Sequence, residues 1–91
     1  MEKQIWKYTL TPGMNTYQLP KNAHVLHADE QYDGIHVWAE VDPNAETEDR
    51  CFEVFGTGHP IHYDMGVERK YISTVKIQGG AFVFHVYERI N

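Results

Sequence analysis

Apolar and polar side chains alternate in short runs along the whole chain, and Gly, Pro, Asn or Asp breaks each run. Successive side chains of a strand point to opposite faces, so this period of two marks strands with one dry face. The pattern predicts strands over 5–10, 16–19, 24–32, 35–41, 51–55, 71–77 and 81–90. Thr11-Pro12-Gly13 predicts a turn, since proline presets φ and glycine supplies a positive one. Asp33-Gly34 predicts a two-residue hairpin turn of type I′, and Gln78-Gly79-Gly80 a second tight hairpin. Residues 42–50, DPNAETEDR, read as an acidic surface loop, and 56–68, GTGHPIHYDMGVE, as a long irregular segment. No apolar period of 3.6 is sustained, so no long amphipathic helix is expected. The predicted fold class is all-β, a small antiparallel β-barrel or β-sandwich of about six to seven strands.

Alternation also assigns faces. In 35–41 the dry set is Ile35, Val37, Ala39 and Val41, opposite His36, Trp38 and Glu40. In 81–90 the dry set is Phe82, Phe84 and Val86, opposite Val83, His85, Tyr87 and Arg89. The expected core therefore includes Ile35, Val37, Phe82, Phe84 and Val86. The opposite sets are too aromatic for ordinary solvated faces. A patch of Trp38, Tyr87, His36 and His85 would mark an interface or ligand site, or else cap the core at one end.

Composition narrows the function classes. Ninety-one residues make one β domain, 1–91, with a thin core. Thirteen acidic against eight basic side chains give a net charge of −5, which disfavours a nucleic acid polymer as partner, because phosphate neutralisation needs clustered Lys and Arg. The single cysteine, Cys51, has no internal partner and fits a reducing cytoplasm. Neither a signal-peptide h-region nor an apolar run of membrane-spanning length is expected from this pattern.

Gly56-Thr57-Gly58-His59-Pro60-Ile61 is the most distinctive segment. Two glycines around a threonine allow successive N–H groups to face one concavity, a nest for phosphate or carboxylate, with Thr57 and His59 as added donors. The plainer alternative is a strand exit that uses glycine for unusual φ and ψ. Arg69 could bring positive charge to such a nest. His59, His62 and Asp64 form a nominal H-x-x-H-x-D, but no helix puts the pair on one face, so no metal and no cofactor are expected. Ser73 sits mid-strand with no base beside it in sequence, and acidic neighbours raise the Cys51 thiol pKa, so neither reads as a nucleophile.

The segments Ile5-Trp6-Lys7-Tyr8-x-Leu10, Leu19-Pro20, Trp38-Ala39-x-Val41-Asp42-Pro43, GTGHPI and Gly79-Gly80-Ala81-Phe82-Val83-Phe84-His85-Val86-Tyr87-Glu88 fit one further pattern. With them the chain resembles a family of small, functionally uncharacterised proteins of this length encoded by tailed phages and their prophages. The resemblance implies an accessory protein in the cytoplasm of an infected bacterial host, and carries over no catalytic residue. In size and setting such a protein is similar to the sponges that sequester nucleotide signals of bacterial immunity. The expected function is thus a non-enzymatic, homo-oligomeric binding protein for a small anionic nucleotide ligand, either ADP-ribose-derived or a cyclic nucleotide. Trp38, Tyr71 or Tyr87 would stack the base; Gly56, Thr57, Gly58, His59 and Arg69 would meet the phosphate; His85 would bond the ligand or hold the loop. The alternatives are a phage structural or protein-interaction module using an aromatic sheet face, and a small nucleotide hydrolase.

Overall fold

Seven strands form between the breaks that the sequence marks: β1 (Gln4–Leu10), β2 (Gly13–Pro20), β3 (His24–Gln31), β4 (Gly34–Val41), β5 (Thr47–Gly56), β6 (Arg69–Ile77) and β7 (Phe82–Arg89). The computed structural model describes residues 2–90. All strand pairs are antiparallel, in a three-stranded sheet of order β1-β4-β3 and a four-stranded sheet of order β2-β5-β7-β6. The result is an all-β sandwich of seven strands, not a closed barrel.

The inner faces supply the core. Ile35, Val37, Ala39 and Val41 of β4 are buried against Leu10, Leu19, Ala28, Phe52, Val54, Val75 and Val86. This is the parity expected for β4. On β7 the expectation holds for Val86, whereas Phe84 is half-buried and Phe82 is 50% exposed. Phe82 lies across from Ile77 at the very end of the β6–β7 ladder and outside the buried core cluster. Its face is inward, but it packs on Phe84 with half of its surface left exposed.

Several boundaries differ from the sequence pattern, and at β5, β2 and the first hairpin the local reason is plain. Residues 47–50 belong to β5, because the acidic run has partners on β2: Gln18 Nε2 donates to Asp49, and Thr47 Oγ1 donates to Gln18 Oε1 at 2.9 Å. The Arg50 side chain turns inward to an ion pair with Glu88, and its Nη1 donates to the Ala23 carbonyl at 3.1 Å. β2 likewise starts at Gly13, where the Asn15 amide donates to the carbonyls of Thr11 (2.8 Å) and Gly13 (3.2 Å) and fixes the turn around Pro12. In the first hairpin the left-handed residues are Tyr32 (φ 53°) and Asp33 (φ 61°), with Gln31 paired to Gly34. Gly34 serves a close approach instead: a Cβ there would lie 3.3 Å from His36 Nε2. His36, expected in an interface or ligand patch or else as a cap on the core, is buried, with Nε2 3.0 Å from the Gln31 carbonyl and Nδ1 3.3 Å from Thr9 Oγ1.

The two sheets meet along β3 and β6, both of which carry a bulge. At that seam the Ala28 N–H donates to buried Ser73 Oγ at 3.1 Å. Tyr8 has a different fate. Among the described residues its buried hydroxyl has no partner, and burial pushes the phenol pKa up. An unsatisfied buried hydroxyl costs about 1–3 kcal/mol. Tyr8→Phe is therefore expected to leave stability unchanged or raise it by about 1 kcal/mol. The advantage should widen above the ordinary phenol range, where the unfolded wild type ionises before the folded one. Thermal melts of both proteins at neutral and alkaline pH check this.

Candidate functional site

Where β5 leaves the four-stranded sheet, the backbone must satisfy its own polar groups. The Thr57 N–H donates to the Val83 carbonyl at 3.1 Å, and the His59 N–H donates to the Gly56 carbonyl at 3.0 Å. Gly58 has φ +88°, the left-handed value that the third residue of a type II turn requires. The anion nest expected from GTG therefore does not form as such, because two of its amides are spent on protein carbonyls. Among the described residues, the Gly58 N–H donates to none.

The turn shapes a cavity. The His59 ring lies over Gly56, where a Cβ would come within 3.0 Å of Nδ1. Pro12, Gly56, Thr57, His59, Phe82, Val83 and Phe84 line an open-sided cavity of about 380 Å³. The lining is mostly apolar and carries no lysine or arginine. Phe82 and Phe84 present near-parallel rings, 20° apart with centroids separated by 6.5 Å.

A chain of polar groups runs from this cavity across the outer face of the four-stranded sheet. Thr57 Oγ1 lies 2.7 Å from His85 Nε2, Thr74 Oγ1 lies 3.1 Å from His85 Nδ1, and the Tyr71 hydroxyl lies 2.5 Å from Thr74 Oγ1. Both imidazole nitrogens are thus engaged, which fixes the ring. Tyr71 meets Tyr87 edge-on at 5.5 Å, and Phe55 meets Tyr87 at 5.9 Å.

Arg69 has a structural post beside these rings. Its Nε donates to Glu53 Oε1 at 2.8 Å and its Nη1 to the His62 carbonyl at 2.9 Å, while its guanidinium lies 4.8 Å from the Tyr63 ring centroid and 5.4 Å from that of Phe55. The hydrogen bond to Glu53 raises the Arg69 pKa still further. The same contacts tie the 57–68 segment down over the sheet.

Gly56, Thr57 and His59 thus line the cavity, with Gly58 in the turn between them, and Thr57 links it through His85 and Thr74 to Tyr71, while Tyr87 and Arg69 lie on the same sheet face. Trp38 is elsewhere. It sits on β4 of the other sheet beside His36, with ring centroids 6.1 Å apart, so the joint patch of Trp38, Tyr87, His36 and His85 is corrected to two patches on separate sheets. Thr74, Pro12 and the exposure of Phe82 were not legible, because each depends on which strands become neighbours.

Two other places bring reactive side-chain types forward. His27 Nδ1 lies 3.2 Å from Ser73 Oγ, and His27 Nε2 lies 3.6 Å from Asp29 Oδ2, which brings together serine, histidine and aspartate. Ser73 is buried and accepts the Ala28 N–H, so the group closes the seam between sheets. Cys51 is half-buried, and burial, ahead of Glu53 and Glu88, pushes its thiol pKa up and away from reactivity. Among the described residues no three His, Cys, Asp or Glu are grouped to hold a metal ion, and no helix is long and apolar enough to cross a membrane.

The whole length, residues 1–91, matches one family model, described as a domain of unknown function, DUF7352. The chain belongs to this family. Neither the curated proteins nor the solved structures contain a match. Family membership therefore supplies no chemistry, and the functional reading rests on the cavity at residues 56–59 and the polar chain beside it.

Proposed function

We propose that this member of the family is a non-enzymatic binding protein that holds a small nucleotide-type ligand at the corner formed by residues 56–59. The supporting observation is a cavity of about 380 Å³ that joins two aromatic rings to the Thr57–His85 hydrogen bond. Small-ligand sites have this character: concave, mostly apolar, of about 300–1,000 Å³, with a few placed polar groups. In the phage setting that the resemblance implies, the ligand would be an immune signal, an ADP-ribose derivative or a cyclic nucleotide, sequestered in the cytoplasm of the host. Self-association belongs to the same reading, since a thin core gains by covering apolar surface with a second copy.

Calorimetry against cyclic nucleotides and ADP-ribose derivatives tests the proposal, with the ligand recovered intact after the protein is denatured. No heat with any of them overturns it, and recovery of a cleaved product replaces it with the hydrolase. His59→Ala should weaken binding by about 0.5–1.5 kcal/mol, the worth of one ring contact. The melting temperature should stay put, because His59 is exposed. A His59→Ala protein that melts lower yet binds normally would remove this loop from the site.

A protein-interaction module is the second reading. It draws on Tyr63, Met65 and Tyr71, which stand 63%, 102% and 53% exposed. A protein that binds no nucleotide, and whose Tyr71→Ala variant loses a partner that the wild type holds, favours this alternative.

A further inference from the structure

Both sheets end in an open edge on the same side of the sandwich. β1 borders the three-stranded sheet and β2 the four-stranded one, while the other two borders, β3 and β6, meet at the seam. The turn around Pro12 joins β1 to β2, and their rings Tyr8 and Tyr17 meet at 5.3 Å, so the two edges run level with each other.

The outward backbone groups follow from the ladders. Gln31 and Gly34 close a two-residue hairpin and bond each other, so alternate β4 residues from Ile35 onward turn to β1. They engage Leu10, Tyr8 and Trp6, which leaves the backbone groups of Ile5, Lys7 and Thr9 facing outward, where the Thr9 carbonyl meets the Tyr17 hydroxyl. On β2 the Lys21 N–H donates to the Glu46 carbonyl at 2.7 Å, and steps of two from there turn Leu19, Tyr17 and Asn15 to β5. Thr16 and Gln18 therefore face outward. Edges of this kind are templates for a further strand. Charge distinguishes the two. Lys7 lies on β1 with Lys3 just before it, whereas β2 carries no charged side chain and is backed by Glu48 and Asp49 of β5. Like edges laid together would set basic beside basic and acid-backed beside acid-backed, in a chain of net charge −5.

We infer that a second copy of this chain pairs its β2 with β1 and its β1 with β2, about a two-fold axis parallel to the strands. That axis exchanges the two sheets and keeps neighbouring strands antiparallel, so each sheet continues into the copy. Because Tyr8 and Tyr17 are level, Lys7 comes opposite Gln18 of the copy, and Thr9 opposite Thr16 of the copy. All four have exposed side chains and outward backbone groups, so face and hydrogen-bonding direction match together. Lys7 also approaches Asp49 of the copy, to which the Gln18 amide donates. Trp6, Tyr8 and Tyr17, only partly buried against the core, close on the same three rings of the copy. The inference rests on the self-association in the reading above and is independent of what the cavity holds.

The test is sedimentation velocity across a wide range of concentration, joined to thiol crosslinking. The wild type should be a dimer. Lys7→Pro removes an outward N–H from each β1 and spares the β4 ladder, so it should raise the dimer dissociation constant by about tenfold or more. In a Cys51→Ala background, Lys7→Cys combined with Gln18→Cys should give a covalent dimer with a short bismaleimide, and Lys7→Cys alone should not. Within one chain the two positions lie on opposite outer faces and cannot be bridged. A wild type that stays monomeric at every concentration overturns this pairing and the self-association alike, and leaves nucleotide binding standing. A dimer that a folded Lys7→Pro leaves intact overturns the pairing alone. So does a dimer that the cysteine pair does not crosslink, or that Lys7→Cys crosslinks by itself. Should Lys7→Pro fail to fold, the cysteine variants decide.

Discussion

Phe52→Ala is expected to unfold a large share of the protein at physiological temperature. Phe52 is fully buried at the middle of β5 and is the largest of the fully buried side chains. Truncating a buried phenylalanine costs about 3–5 kcal/mol, from lost transfer energy and the cavity left behind. Domains of this size hold about 5–15 kcal/mol in total, so the loss takes a large fraction. The sandwich has little means of collapsing around the gap, because the core cluster that holds Phe52 is rich in stiff β-branched side chains, Val37, Val54, Val75 and Val86 among them. Urea unfolding followed by tryptophan fluorescence measures the effect. A midpoint unchanged from wild type would show that β5 presents its other face to the core.

One residue along, the face changes and so does the physics. Glu53→Ala should cost about 1.5–3 kcal/mol, the worth of hydrogen bonds between charged groups together with the penalty for leaving a cation covered. The Arg69 side chain is only 4% exposed and would lose its carboxylate partner. The loss should be felt beyond β5, since Arg69 also holds the His62 carbonyl and packs on Tyr63. Amide exchange across residues 57–68 should therefore accelerate more than exchange in β4. Glu53→Gln, which keeps an acceptor, should do less harm than Glu53→Ala. Arg69 has its pKa raised by the pair, so on the alkaline side its contribution is intact up to the ordinary arginine range and is lost as pH climbs through the raised value. Exchange in 57–68 that matches wild type in Glu53→Ala would mean that the segment is held by something else.

These two neighbours show what was legible in the chain. The alternation Phe52, Glu53, Val54 marks a strand with one dry face, and likewise Ile35 to Val41 announces β4 and its inward set. Period-two reading succeeds there because β4 is central in its sheet and covered along its length. It fails at Phe82, where parity is right but burial is only half complete, since Phe82 stands at the end of its ladder. It also missed that residues 47–50 form strand, because Gln18 and Thr47 give the acidic run its cross-strand partners. The candidate site was legible as a location and not as a mechanism. GTGH marks the cavity, while the destinations of the Thr57 and His59 amides, the Thr74–His85–Thr57 chain and the Glu53–Arg69 pair depend on contacts between strands far apart in sequence. Trp38 was drawn to the site by its chemistry alone and lies on the other sheet.

If residues 56–59 and the start of β7 form one ligand site, a ligand must perturb both together. That is tested most directly by amide chemical-shift mapping during titration with nucleosides and their monophosphates. The account predicts the largest shifts at Gly56, Thr57, Gly58, His59, Phe82 and Phe84, smaller ones at His85, and none in β1 or at Tyr32. Shifts centred on β1, β4 or the Tyr32 hairpin, or no shifts with any nucleoside or monophosphate, would contradict it.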